Sequence, residues 1–185
     1  MQSDRPAASR SVREAGERKP ESRSVVVAIA VLELTVLAVW GGGLVALGAI
    51  AAPTVFGIVP APSSADAMTV VFRRFDRVAI TCAAIALACE VAAVLKARVR
   101  TPDLVRGAAA VLAAGLAIVE GAWLSPAIEA LHRQGAIRGL GDAGLALERT
   151  HRLAETAGKG QLLLLFVTLV LVVERLSRFP GHTRC

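Results

Sequence analysis

The sequence predicts an all-α integral membrane protein: a four-helix bundle with both termini on the cytoplasmic side. Three observations support this prediction. Of the 185 residues, 55% are hydrophobic and only 19% are charged, whereas soluble chains are about 45–50% apolar. The charged residues leave four long stretches almost uncharged, and a helix needs roughly 20 apolar residues to cross a bilayer. Lysine and arginine are also divided unequally between alternate connecting segments.

The first span is predicted over 28–52. From Ser24 to Val59 the chain carries a single charge, Glu33, in 36 residues. The preceding residues 1–23 mix Arg, Glu, Ser and Pro without a period, which is typical of a disordered tail. Proline at position 53 is expected to kink or end this span near the outer face.

The remaining spans follow from the same hydropathy pattern. They are predicted over 77–97, 104–124 and 158–177. The connections are predicted as an outer loop over 53–76, a short basic inner loop over 96–106, an outer helical segment over 126–157 with a loop from Gly139 to Gly144, and a tail over 179–185. This arrangement makes 24–178 one transmembrane domain.

The orientation follows from the Lys and Arg counts. Thirteen lie in the N-terminal tail, the loop between spans two and three, and the C-terminal segment, against eight in the other two connections. Because cytoplasmic loops carry the excess of positive charge, we expect a multi-pass protein of the cell membrane with both ends inside. The net charge of +6 then indicates attraction to anionic lipid at the inner face.

Small residues at four-residue spacing predict where helices touch, since close backbone approach stabilises helix pairs in lipid. The candidate packing residues are Gly42 and Ala46 in the first span and Ala113, Ala117 and Gly121 in the third. The glycine run Gly41 to Gly43 is therefore interpreted as a packing surface.

Three glutamates fall within or beside apolar spans: Glu33, Glu90 and Glu120. Charges inside a bilayer are costly and often mark functional sites. Helical spacing places Glu90 and Glu120 on faces rich in alanine, so both are expected to point into the bundle. Two interpretations stay open: structural pairing with a cation, for which Lys96, Arg98 or Arg100 are candidates, or a relay for protons or cations. Glu33 lies either in the bilayer or at its inner surface.

Two histidines flank the loop of the second outer segment. His151 shares a helical face with Glu155, and His132 precedes the loop. Histidine and carboxylate are common metal ligands, so these residues are candidate ligands, with a solvated ion-pair face as the alternative. No cofactor is predicted outright, and haem or a transition metal is kept as an alternative.

The sequence lacks the features expected for nucleic-acid binding, dinucleotide binding or a disulfide between Cys82 and Cys89. Aromatic residues are only 4% and do not alternate with basic residues, so no nucleic-acid partner is expected. Gly139 to Gly144 fits the dinucleotide pattern G-x-G-x-x-G, but no strand is predicted before it. Cys82 and Cys89 lie seven residues apart on one helix, roughly 10 Å by helical rise, which is too far for a disulfide.

The residues Trp40-Gly41-Gly42, Ala51-Ala52-Pro53 and Phe56, followed by Phe72 and Phe75, resemble the transmembrane protein 205-like family over about 36–176. Pro126 and His151 also fit that pattern, although Thr150 stands where the family usually has Leu, and the expected Asn is absent. The resemblance implies a four-helix membrane protein with both ends inside. More distantly, the layout is similar to copper-resistance D-type proteins and to a haem-binding four-helix oxidase family.

These observations lead to a non-enzymatic membrane bundle that binds, carries or regulates, with a homo-oligomer as a further expectation. One alternative is a haem- or metal-binding membrane oxidoreductase that uses His132 or His151. The other is a proton- or cation-coupled transporter that uses Glu90 and Glu120. The sequence names no cargo.

Overall fold

Long helices dominate the computed structural model, which describes residues 21–96 and 101–177. Within those residues, four helices are long and apolar enough to span a membrane: Val25–Ile58, Ser63–Leu95, Thr101–Arg133 and Gly141–Ser177. The all-helical fold with four membrane-spanning candidates is therefore confirmed. The predicted tails over 1–20 and 178–185, and the centre of the basic loop at 97–100, lie outside the described residues.

Two of the helices contain a π-helical turn directly before a proline. The first helix runs over Glu21–Val45, turns through a π segment at Ala46–Ala51, and continues over Ala52–Ile58. The third runs over Thr101–Val119, a π segment at Glu120–Leu124, and Ser125–Arg133. In each case the α-helix restarts so that proline occupies its first turn, where the missing N–H is not needed.

These turns correct the predicted connections. The chain stays helical through Pro53 to Ile58, and the second helix, Ser63–Lys96, begins soon after, so the expected outer loop over 53–76 shrinks to 59–62. The outer helical segment expected over 126–157 is not separate, because its two parts extend the third and fourth helices.

The connection between the third and fourth helices, over 134–140, depends on glycine. Gly135, Gly139 and Gly141 have φ values of 74°, 80° and 65°, a backbone conformation that glycine adopts without a steric penalty. The third helix therefore ends at Arg133 rather than at Arg138, and the fourth begins at Gly141, inside the loop predicted from Gly139 to Gly144.

The helices form a closed ring in which each packs against its neighbours in sequence and the fourth returns to the first. This is the up-down-up-down arrangement of a four-helix bundle. We call the end where the first helix begins and the fourth ends the terminal end, and the opposite end the loop end. The helices hold 33 to 37 residues, roughly 50 Å by helical rise, so they extend past a hydrocarbon core of about 30 Å.

The bundle interior is built from small residues. The second and third helices bury alanines and a cysteine against one another, including Ala83, Ala86, Ala113 and Ala117. Many large apolar side chains point outward, as at Leu95, which is 81% exposed, although Trp40 and Leu165 are buried. Small residues inside and large ones outside suit a bilayer, where lipid solvates the outer face and helices associate by close approach.

The packing stripe expected on the first helix is wrong. Gly42 and Ala46 are exposed, and a Cβ added to Gly42 would meet nothing within 4 Å. The residue that needs glycine is Gly43, because a Cβ there would overlap the ring of Phe75 on the second helix. The stripe fails because helical spacing alone does not say which face of an apolar helix meets protein.

Candidate functional site

Two groups of polar side chains lie inside the bundle, one toward each end. The group toward the terminal end, here called the terminal cluster, consists of Glu33, Glu90, Asp103 and Arg106. The group toward the loop end, here called the loop-end cluster, consists of Trp40, Asp76, Glu120, Ser125 and Gln161. Each cluster draws on more than two helices, so neither is a local contact within one helix.

The terminal cluster is centred on a guanidinium from the third helix. Arg106 Nε donates to Glu90 Oε1 at 2.6 Å, and Nη2 donates to Oε2 at 2.8 Å. This two-bond geometry is the strong form of an arginine–carboxylate pair. Arg106 Nη1 also donates to Asp103 Oδ1 at 3.3 Å. The pair joins the second helix to the third inside the membrane-spanning region.

Glu33 brings a second buried carboxyl to the same place. Its side chain lies near enough to that of Glu90 for electrostatic interaction, and its Oε1 lies 4.0 Å from Arg106 Nε. Glu33 and Glu90 are only 2% and 5% exposed, and Arg106 is 2% exposed. Two buried carboxyl groups therefore meet one fully buried guanidinium.

One oxygen of Glu33 lacks a partner. Within the described part of the chain, Glu33 Oε1 is buried and accepts no hydrogen bond. Buried polar atoms are nearly always hydrogen-bonded, so each exception needs an explanation. Glu33 also lines a small cavity at the terminal end.

In the loop-end cluster, Gln161 of the fourth helix links two other helices. Its Oε1 accepts from Trp40 Nε1 at 3.1 Å, and its Nε2 donates to Glu120 Oε2. Gln161 and Trp40 are each 1% exposed, so both satisfy their polar atoms in the core. The amide thus uses its acceptor and its donor to connect the first, third and fourth helices.

Asp76 completes the loop-end cluster from the second helix. Ser125 and the carboxyl of Glu120 both lie near enough to interact with its side chain. One oxygen of Asp76, Oδ2, is buried and accepts no hydrogen bond from the described residues. Gly121 permits this approach, since a Cβ there would lie 3.2 Å from the Cβ of Asp76.

The structure keeps Glu90 and Glu120 apart. Glu120 lies 14 residues beyond Arg106 on the third helix, roughly 20 Å by helical rise, and Arg106 holds Glu90. Alanines that include Ala113 and Ala117 fill the interval. The two carboxyls therefore belong to separate sites.

The histidines lie together at the loop end. The rings of His132 and His151 make an edge-to-face contact with centroids 5.9 Å apart. Glu155 is exposed and pairs with Lys159, while Glu148 pairs with Arg152. Residues 21–96 and 101–177 contain no group of three or more His, Cys, Asp or Glu side chains placed to hold a metal ion.

Several residues of the two clusters, among them Arg106, Gln161 and Asp76, were not anticipated. Arg106 was placed in the basic inner loop, although its spacing to Ala109 and Ala113 puts it on the buried face of the third helix. Gln161 shares a face with Leu165, Thr168 and Val172 of the fourth helix, and that spacing was the available signal. Asp76 precedes the predicted second span and carried no such signal.

Comparison with known proteins places the chain in one family. The family model described as a domain of unknown function, DUF4149, matches residues 35–137. No curated protein and no solved structure gives a significant match. The matched segment holds Trp40, Asp76, Glu90, Arg106 and Glu120 but excludes Glu33 and Gln161. Because the match covers more than half of the 185 residues, the chain belongs to the DUF4149 family.

Proposed function

We propose that this multi-pass membrane protein is a non-enzymatic bundle that binds one proton in the terminal cluster and uses it to regulate, or to couple the carriage of, a cargo. One observation carries the proposal. Glu33 and Glu90 are both buried, and both lie beside one fully buried cation, Arg106. Two ionised carboxylates beside one buried cation leave a net negative charge in the core, and one proton on the pair removes it.

The charge balance supports a single shared proton. An isolated ionised carboxylate is very costly to bury, so a buried acid tends to take up a proton instead. Arg106 neutralises one carboxylate through its two hydrogen bonds to Glu90. The second carboxyl, Glu33, meets Arg106 only at 4.0 Å. A proton on the pair makes the buried trio neutral.

The other charged and titratable groups near the terminal cluster do not remove the need for this proton. On the second helix, Cys89 lies beside both carboxyls and is buried. From the third helix, Asp103 pairs with Arg106 at the margin, where its side chain is 25% exposed. From the fourth helix, Arg175 interacts electrostatically with Glu33. Asp103 and Arg175 have opposite charges and lie nearer to water. Their effects on the charge of the terminal cluster therefore largely cancel, and neither takes the place of the shared proton.

The position of the proton suggests how it could regulate the protein or couple to the carriage of a cargo. The terminal cluster joins the first, second and third helices, so a change in its charge alters how those helices pack. Removing a partner from a buried pair costs several kcal/mol, roughly 3–5, which is enough to change the population of a conformation. The loop-end cluster holds the opposite end of the bundle and is a separate polar anchor.

The orientation and surroundings are part of the proposal. The excess of Lys and Arg in the segments at the terminal end supports a cytoplasmic position for that end in the cell membrane, next to anionic lipid. The resemblance of Trp40-Gly41-Gly42 and the following motif to the transmembrane protein 205-like family agrees with such a protein. The haem or metal alternative would use His132 and His151, but among the described residues no group of three or more His, Cys, Asp or Glu side chains is placed to hold a metal ion.

Proton linkage tests the proposal. Unfolding exposes both carboxyls to water, where they ionise above about pH 4.3. The native state then holds one more proton than the unfolded state. The free energy of unfolding should therefore fall as pH rises above this value, by up to about 1.4 kcal/mol per pH unit. Chemical unfolding in detergent across a pH series measures this slope.

Two variants make the linkage test specific. Glu33→Gln should flatten the slope because Glu90 and Arg106 then balance without a proton. Glu155→Gln is the matched control, since Glu155 is an exposed carboxyl paired with Lys159, and it should leave the slope unchanged. An equal slope in the wild type and Glu33→Gln would contradict the proposal.

A further inference from the structure

A cavity at the terminal end of the bundle is lined by Glu33, one member of the buried carboxyl pair. It lies between the first, second and fourth helices and is lined mainly by apolar side chains, among them Ala30, Ala92 and Val172. Two charged residues also line it: Glu33 at the cluster and Arg175 on the last turns of the fourth helix. Its volume is about 20 Å³.

The polar lining is incomplete without an occupant. Glu33 is 2% exposed, and its Oε1 accepts no hydrogen bond from the described residues. An occupant that satisfies this oxygen donates a hydrogen bond to it. Arg175 is half-buried on the other helix, and its guanidinium can only donate. The occupant must then be both a donor and an acceptor.

The size and charge of the cavity select the occupant. A volume of about 10–15 Å³ is enough for one water molecule, and a buried water needs two to four polar partners. The cavity, at about 20 Å³, is too small for a lipid headgroup. A monovalent cation would be repelled by Arg175 and by Arg106 just beyond Glu33. Water is the one common species that donates, accepts and fits.

We propose that this cavity binds one water molecule between Glu33 and Arg175, and that the carboxyl pair exchanges its proton with the terminal end through this water. This inference rests on the proposed proton site and adds the route by which the proton enters and leaves it. Glu33 lines the cavity, whereas Glu90 is held by Arg106 on the side of the third helix. Glu33 is therefore the member of the pair that takes up and releases the proton.

The experiment follows the exchange of that proton for deuterium. A protonated carboxyl gives an infrared C=O stretching band that shifts when the protein is mixed with D₂O. Ala30→Leu fills the cavity and keeps both carboxyl groups in the chain. We expect the band to persist in this variant and its shift to slow by at least about tenfold, because exchange then requires local opening of the helices.

A matched variant controls for the added bulk. Ala38 lies on the same helix but is exposed, so Ala38→Leu should exchange at the wild-type rate. Ala92→Leu fills the cavity from the second helix and replaces Ala30→Leu if that variant does not fold. Wild-type exchange in a folded cavity-filling variant, or loss of its band, would overturn the water route. Absence of the band from the wild type would instead overturn the proposed proton site.

Discussion

Arg106 on the third helix and Glu90 on the second form a buried ion pair with two hydrogen bonds, at 2.6 Å and 2.8 Å. Glu33 from the first helix adds a second carboxyl to this pair. The consequence is a site whose charge balances with one proton, in a region that is otherwise alanine-rich. The account of this protein depends on that relationship.

Replacing the cation should destabilise the bundle strongly. Arg106→Met leaves two buried carboxyls with no buried cation, and removing one partner of a buried pair costs about 3–5 kcal/mol. The matched control is Arg73→Met, because Arg73 pairs with Glu129 at 2.9 Å but is 49% exposed, and it should cost at most about 1 kcal/mol. Unfolding in detergent compares them. Equal losses would show that burial of the Arg106 pair is unimportant.

The same site predicts a rescue. A variant that carries Glu33→Gln, Glu90→Gln and Arg106→Met removes every fully buried charge of the terminal cluster. Because apolar or neutral replacement of a whole buried ion pair is often nearly neutral, it should recover most of the stability that Arg106→Met loses. Failure to recover in the same unfolding assay would mean that the arginine contributes through packing rather than charge.

The glycine run predicts unequal effects at adjacent positions. In Gly43→Ala the new methyl overlaps the ring of Phe75, and overpacking costs about 1–3 kcal/mol. Gly42→Ala adds the same methyl where nothing lies within 4 Å, so its stability should change by less than about 0.5 kcal/mol. Thermal unfolding of the two variants decides the matter. A larger loss of stability in Gly42→Ala than in Gly43→Ala would contradict the contact between Gly43 and Phe75.

The alanine core predicts a similar contrast on the third helix. Ala117 is 3% exposed within the core, and Ala117→Leu should cost about 1–3 kcal/mol by overpacking. Ala108 lies on the same helix but is exposed, so Ala108→Leu is the control and should be nearly neutral. Equal stability of both variants in detergent would show that Ala117 does not lie at a tight contact.

Removing the indole N–H of Trp40 should lower the stability of the protein, whereas the same change at Trp123 should not. Trp40→Phe removes the donor to Gln161 Oε1 and leaves a buried acceptor unpaired, which costs about 1–3 kcal/mol. Trp123 is 70% exposed, so Trp123→Phe should change stability by about 0.5 kcal/mol or less. Chemical unfolding measures both. A neutral Trp40→Phe would argue against the loop-end cluster as an anchor.

The proposed orientation can be tested with the native cysteines. Cys82 and Cys89 are buried free thiols, so an impermeant maleimide added to the folded protein should report on Cys185. With a cytoplasmic C-terminus, intact cells should show no labelling and permeabilised cells should be labelled. Labelling of Cys185 from outside intact cells would reverse the orientation.

The sequence predicted the features that depend on hydropathy and composition. The four spans and the inward direction of Glu90 followed from apolar run length and from alanine neighbours at helical spacing. The continuous helices through Pro53 and Pro126 did not, because a π turn before a proline leaves no clear local pattern. Trp40 was recognised as part of a motif. Its hydrogen bond to Gln161 could not be predicted, because it requires that the fourth helix pack against the first.

The partners in the polar clusters were the least predictable part. Glu90 was expected to pair with a lysine or arginine of the adjacent basic loop, whereas Arg106 from within the third helix pairs with it. Glu33 was ambiguous because depth in the bilayer depends on where a helix ends, and the first helix begins as early as Glu21. Both outcomes depend on contacts between helices, which one sequence does not specify.

The central claim, a proton shared by Glu33 and Glu90, is tested most directly by infrared difference spectroscopy near neutral pH. The account predicts a carboxylic-acid C=O band in the wild type that disappears in Glu33→Gln and also in Glu90→Gln. Either substitution leaves one carboxylate to balance Arg106, so neither variant needs the proton at this site. A wild-type spectrum without this band, or a band unchanged in both variants, would contradict the account.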